Sequence, residues 1–228
     1  DLKGMTIGLP TGSLAEHQVL VALEGLGLHP GEDFQTEVLF PGPQATVALV
    51  RGDVDAVAGW ETWPSSVVTD ELGYIPFDYM DTEIGPIVAL HQTHKDNIGE
   101  PWLEEFTACY MEAAEIFNSD EETAVEAMRA WSGVSDPLAR HALTRLHYDP
   151  KMYLPNLQTY AGLMYDFELV EVDTTDFVED GLDYSVLEAV TGQSADELGR
   201  TERATAATHT PTRHADQYDY TWRPMQDQ

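Results

Sequence analysis

Thr6-Ile7-Gly8-Leu9, followed by Thr11-Gly12-Ser13 and the amphipathic run from Leu14 to Leu26, reads as a short buried strand that turns straight into a helix. Outward from it, Glu37-Val38-Leu39-Phe40, Ala45 to Val50 and Val54 to Ala58 continue the alternation, so the first third of the chain has a β-α-β-α-β order. Such connections make parallel strands with right-handed crossovers, which places the strand C-terminal ends and the helix N-terminal ends on one edge. Punctuation agrees: Ser13-Leu14-Ala15-Glu16 reads as a capping box, Gly27 closes the first helix, and Gly52 ends the second before Asp53. Ligand chemistry is expected on that edge.

Downstream, a short helix is predicted near Trp63 to Leu72. Tyr74 to Phe77 and Pro86 to His91 read as strands flanking an irregular loop from Asp78 to Gly85. From Pro101 the spacing becomes helical, through Trp102, Phe106, Cys109 or Tyr110, Ala113 and Phe117. Ser119-Asp120-Glu121-Glu122 announces a helix carrying Val125, Met128 and Trp131, and Ser135-Asp136-Pro137 one carrying Leu138, Ala142 and Leu146. Further helices are expected at Leu157 to Phe167 and Ser185 to Val190. The reading divides the chain into an α/β lobe at 1–92, a helical part at 93–191 and an irregular tail at 192–228, whose aromatic end at Tyr218-Asp219-Tyr220-Thr221-Trp222 could dock.

Composition bounds the function. Among 228 residues, 41 acids face 11 Lys and Arg, for a net charge of −30. This disfavours nucleic acid and anionic membranes as partners. Five Trp, ten Tyr and seven Phe with periodic apolar runs argue against a disordered acidic chain. With lysine confined to Lys3, Lys95 and Lys151, the acids read instead as a surface hydrated against molar salt, as in a salt-loving organism. A single cysteine, Cys109, excludes an internal disulfide, and its place among apolar helix residues points to core packing. No run of about 18 apolar residues occurs, and neither a signal peptide nor a lipid-anchoring cysteine is visible at the Asp1 start, which looks processed or cut.

The opening Asp1-Leu2-Lys3-Gly4-Met5-Thr6-Ile7-Gly8, with Thr11-Gly12-Ser13 and Leu23-Glu24-Gly25-Leu26-Gly27-Leu28, resembles the middle of ABC-transporter substrate-binding proteins of the sulfonate/nitrate/taurine family. Ala48-Leu49-Val50-Arg51-Gly52-Asp53-Val54-Asp55-Ala56-Val57-Ala58-Gly59-Trp60-Glu61 resembles that family's segment ending in a Trp-Glu pair, and the Pro101 to Phe117 helix follows in the right order. The likeness covers roughly residues 1 to 190, and its motifs are short, so their order carries the weight. It implies a type II periplasmic-binding-protein-like α/β fold: one βαβαβ lobe, a return through a hinge at Pro86 to His91, and a mainly helical C-terminal portion of the other lobe. It also implies that an N-terminal stretch of the first lobe should precede Asp1, leaving a surface open to self-association. The function implied is extracytoplasmic, at the cell surface: delivery of a small anionic or zwitterionic ligand to an ABC permease, with no catalysis and no cofactor.

Thr11, Gly12 and Ser13 lie where a strand ends and a helix begins, so free backbone N–H groups and the helix dipole could hold a sulfonate or carboxylate. The plainer reading is an N-cap, and Glu16 favours it if its carboxylate folds back and places negative charge there. Trp60 and Glu61 stand at the end of the third strand, where an aromatic wall and a carboxylate would suit an amine; the alternative is a core Trp beside a solvated Glu. Trp63 reads as core. Thr82, in Asp81-Thr82-Glu83-Ile84-Gly85-Pro86, is a further candidate near the hinge.

Eight histidines include His91 and His94, His141 and His147, and His209 and His214, none at a strong zinc spacing. No nucleophile elbow, phosphate loop or His-Glu-x-x-His is present. Two other readings remain open: an enzyme on the same scaffold, of desulfinase or pyrimidine-precursor synthase type, and an incomplete lobe that works by pairing with another chain.

Overall fold

The computed structural model describes residues 2–76 and 89–205. By packing, the chain divides into two units: within the described residues, 2–76 with 125–146, and 89–124 with 147–205. The return of 125–146 to the first unit is a long-range feature that the linear division of the sequence does not contain.

In the first unit, β1 (Thr6–Leu9), α1 (Leu14–Gly25), β2 (Gln35–Val38), α2 (Pro43–Arg51), β3 (Ala56–Val57) and α3 (Trp63–Thr69) follow the expected alternation. The sheet order is β2-β1-β3 and both pairings are parallel, with Ile7 opposite Thr36 and Ala56. Ile7, Leu9, Leu23 and Phe34 form its core, backed by Val19, Leu20 and Leu28. Gly8 lets side chains close over β1, because a Cβ there would stand 2.8 Å from Leu39 Cδ2 and 3.3 Å from Val57 Cγ1 and would push the leucine aside. Gly27 (φ +71°) closes α1 with its N–H on Glu24 and the Leu28 N–H on Leu23, and Gly52 (φ +73°) ends α2 in the same left-handed way.

The second strand differs from expectation. It spans Gln35–Val38 rather than Glu37 to Phe40, because fully buried Phe34 anchors its start and Phe40, 61% exposed, has already left the ladder. Residues 74–76 and 89–91 form no strand; Phe77, the Asp78 to Gly85 segment and residues 86–88 of the expected hinge lie outside the described residues.

The helical part contains α4 (Pro101–Ser119), α5 (Glu121–Ser132), α6 (Asp136–Leu143), α7 (Leu154–Asp166) and α8 (Ser185–Thr191). Ser135 caps α6 by accepting from the Leu138 N–H, whereas Asp120 caps α5 by accepting from Thr123. α3 packs on α6 in the first unit, and α4 on α8 in the second. Among the described residues, no helix is long and apolar enough to cross a membrane.

Cys109 corrects the core assignment: it is exposed. The helical spacing around it is real, but α4 buries no residue completely. Its aromatic stripe meets single rings instead, His91 stacking edge-on against Tyr110 at 4.2 Å and Tyr148 against Phe117 at 4.7 Å. Trp102, Phe106 and Ile116 remain 41–50% exposed.

Residues 192–205, expected as the start of an irregular tail, are packed. Leu198 and Ala204 are buried, Asn156 on α7 exchanges two hydrogen bonds with the Ala204 backbone (2.8 and 3.1 Å), and the Met152 N–H donates to Leu198. Gly199 allows this contact, for it adopts φ +101° and a Cβ would lie 2.8 Å from the Met152 carbonyl oxygen. Gly199→Ala combines backbone strain with a backbone clash, so we expect a loss of about 1–3 kcal/mol in denaturant unfolding, without loss of the α/β unit's secondary structure in circular dichroism.

Candidate functional site

Three loops leave the same edge of the sheet, one after each parallel strand and each leading into a helix N-terminus: 10–13 after β1, 39–42 after β2 and 58–62 after β3. Because β1 is central, its loop is flanked by the other two. The outer loops also meet, since a Cβ on Gly59 would stand 2.8 Å from Pro41 Cβ.

Thr11 and Gly12 are exposed, with Gly12 at φ +76°. Ser13 is the N-cap of α1 and accepts from the Glu16 N–H at 3.3 Å. The Glu16 carboxylate does fold back, but one residue further than a standard capping box, taking the Gly12 N–H at 2.6 Å. An anion reaching this turn therefore meets a carboxylate already seated on one of its donors.

Trp60 is 48% exposed, whereas the neighbouring Glu61 side chain is only 9% exposed and points inward. Glu61 Oε1 accepts from Arg145 Nε at 2.7 Å, the arginine itself being 18% exposed. Beside this pair, buried Ser65 and His141 share a 2.8 Å hydrogen bond between Oγ and Nδ1. The two contacts tie α3 to α6 and the turn before α3 to Arg145, two residues beyond α6, across 76 and 84 positions of sequence. Trp63, expected in the core, is half-buried at the start of α3. Thr82 lies outside the described residues.

Burial drives the charges of this cluster. It pushes the Glu61 carboxyl up from the ordinary carboxylate range, against the lowering pull of Ser65 and Arg145. It pushes His141 down from the ordinary histidine value, and the Arg145 charge adds to that. Serine on histidine with a carboxylate nearby is the material of a nucleophilic pair, but Ser65 is fully buried, and its bond to His141 holds α3 onto α6. Among the described residues, no group of His, Cys, Asp and Glu is placed to hold a metal ion.

Sequence reasoning misses Ser65 and Arg145, and it weighs His141 only as one of eight histidines without a zinc spacing. An arginine between Leu143 and Leu146 in a chain so poor in cations hints at an internal partner, but among 41 acids nothing local names Glu61.

Compared with solved structures, the chain is similar to the alkanesulfonate-binding protein SsuA of Xanthomonas axonopodis pv. citri bound to MOPS, with 21% identity and a TM-score of 0.61 over 75% of this chain and 61% of that one. It is likewise similar to the periplasmic aliphatic sulphonate binding protein SsuA of Escherichia coli, with 22% identity and a TM-score of 0.63 over 81% of this chain and 64% of that one. The fold is that of the periplasmic binding proteins. The chain spans less than two thirds of the length of either. No protein-family model matches it, and no curated protein matches it.

Within that fold, the His141 and Glu61 shifts have opposite signs. A lowered His141 gives stability that is present above its ordinary value of 6.5 and is lost as pH falls through the folded value. A raised Glu61 gives stability that is present below the ordinary carboxylate range and is lost as pH rises. Between about pH 7 and about pH 5, where a free histidine titrates, His141→Gln should lose less stability than the parent chain in paired denaturant melts. Equal losses would remove His141 from the acid response.

Proposed function

We propose that this chain is the ligand-gripping part of an extracytoplasmic solute-binding protein that takes a small organic anion or zwitterion and hands it to an ABC importer, without catalysis. The observation that carries the reading is the exposed Trp60 beside the Thr11-Gly12-Ser13 turn, on adjacent loops at the ligand edge of a fold shared with two sulfonate-binding proteins.

In this reading the head group approaches the positive end of α1, with Thr11, Gly12 and Ser13 as donors and Glu16 as the group to be displaced or bridged. Trp60 covers the organic part. Glu61 acts indirectly, holding Trp60 in place through Arg145. Thr82, outside the described residues, is retained as a further contact. Sulfonate, taurine-like zwitterion and nitrate are the ligand classes to test. The acid-rich surface fits a salt-loving source, so binding is measured in molar potassium chloride.

A thermal-shift series with alkanesulfonates, taurine, nitrate and bicarbonate should raise the melting temperature for one class, because a ligand bound only by the native state stabilises it. Trp60→Ala should abolish that shift while leaving the unliganded melt within a degree or two, since the ring is half exposed. A variant that still responds in full would end the site assignment.

The exposed stripe of Trp102, Phe106 and Ile116 on α4 favours a second reading, in which the surface pairs with another chain. Sedimentation velocity across a dilution series should then show concentration-dependent association that Phe106→Glu weakens. A single monomer boundary at every concentration would exclude pairing with a second copy.

A further inference from the structure

Most cations of this acid-rich chain are paired: Lys3, Arg129, Arg140, Arg145, Lys151 and Arg200 each meet a carboxylate. Arg203 meets none among the described residues, yet its side chain is held in place. Its Nη2 donates to Thr159 Oγ1 at 2.6 Å and to the Pro155 carbonyl at 3.2 Å, which leaves Nε and Nη1 without an acceptor there. This guanidinium lines an open cleft of about 460 Å³, within the size range of small-molecule sites.

The cleft follows one face of α7. Pro155, Thr159, Gly162, Leu163 and Asp166 line it at the three- and four-residue spacing that shares a helix face. Gly162 leaves the middle of that face without a side chain, and Thr175, from the short turn Thr175–Phe177, stands against it: a Cβ on Gly162 would lie 3.2 Å from the Thr175 hydroxyl. Arg203 is anchored at the Thr159 end. At the other end Asp166 is exposed and makes no hydrogen bond or ion pair among the described residues, and it lines an adjoining hollow together with Glu168 and Glu171. One end of the cleft is therefore positive and the other negative, and the two charges do not pair with each other.

The geometry points to a second binding site along α7, independent of the loops at the sheet edge, for a small zwitterion whose carboxylate and ammonium groups stand several carbons apart. The free side of the Arg203 fork suits a carboxylate, and Asp166 with its acidic neighbours suits an ammonium group. Spacing selects the class. Thr159 and Asp166 are about 10 Å apart along the helix axis at 1.5 Å per residue. A hydrogen bond of about 3 Å at either end leaves roughly 4 Å between the charged groups of the solute. At about 1.5 Å per carbon–carbon bond, a chain of about three methylenes covers that distance, whereas an α-amino acid carries both charges on one carbon and falls short. Pro155, Gly162 and Leu163 supply the apolar surface for the methylenes.

The test is a heteronuclear NMR titration of the 228-residue chain in molar potassium chloride with 4-aminobutyrate, glycine and butanoate, following the Thr159, Gly162 and Thr175 amides. 4-Aminobutyrate should give saturable shifts, with glycine and butanoate each weaker by about threefold to fivefold, the worth of one exposed charge pair. Asp166→Asn and Arg203→Gln should each weaken 4-aminobutyrate by the same factor, while Trp60→Ala leaves it unchanged. Asp166 is exposed and unpaired, so Asp166→Asn folds as the parent does and decides the matter even where Arg203→Gln does not fold. Absence of saturable shifts with 4-aminobutyrate, equal affinity for glycine or butanoate, or undiminished affinity in Asp166→Asn would overturn the site. Loss of these shifts in Trp60→Ala would move the zwitterion to the sheet edge and overturn it as well, whereas failure of the α7 site by any of the other outcomes leaves the sheet-edge reading untouched.

Discussion

A four-residue strand paired on both sides in parallel is the constraint from which the loop edge follows. β1 cannot reach its neighbours by hairpins, because parallel pairing demands a crossover, and α1 supplies the one to β2. Each strand must then end at the same edge, where the chain turns into a helix. Ile7 and Leu9 bury themselves on Leu23 and Phe34, and Gly8 leaves room for Leu39 and Val57 to close over β1 from either side. The convergence of the outer loops and the exposure of Phe40 and Trp60 are consequences of this narrow sheet.

The loop beyond β3 is held by a buried polar cluster as well as by the sheet. Glu61 and Arg145 fasten the turn that carries Trp60 to the chain just beyond α6, while Ser65 and His141 fasten α3 to α6 itself. Hydrophobic packing alone would leave a turn free to slide, whereas a charge-assisted bond at 2.7 Å fixes one orientation. The desolvation that raises the Glu61 carboxyl and lowers His141 makes the cluster a poor source of net stability. Its contribution is better placed in orientation: it turns the acid away from the solvent-facing edge and leaves the indole outside.

Local chemistry makes the frame legible in the sequence alone. Period, caps and the glycines at positions 27 and 52 act within a few residues, and β1, α1, α2 and α4 all begin and end close to where those signals stand. The departures share a physical cause. Apolar Val38-Leu39-Phe40 draw the strand reading toward themselves, but buried Phe34 decides where β2 starts. The amphipathic pattern of its helix assigns Cys109 to a core, but an amphipathic face says nothing of what covers it. Adjacency to Trp60 offers Glu61 to a ligand, but its partner lies 84 residues away. Long-range pairing, rather than local preference, is what a single sequence withholds.

The charge of the whole chain bears on how such a site could work at all. A net −30 repels an anion at a distance, and Glu16 repels it again at contact. In about 1 M salt the screening length falls to about 3 Å, so the long-range term vanishes and only groups touching the solute matter. Salt of that strength leaves apolar contact undiminished. An anion recognised by a helix terminus alone would gain little there, since an exposed end is screened as well. Aromatic contact does not suffer this loss, and Phe40 and Trp60 stand exposed on the two loops that flank the Thr11-Gly12-Ser13 turn.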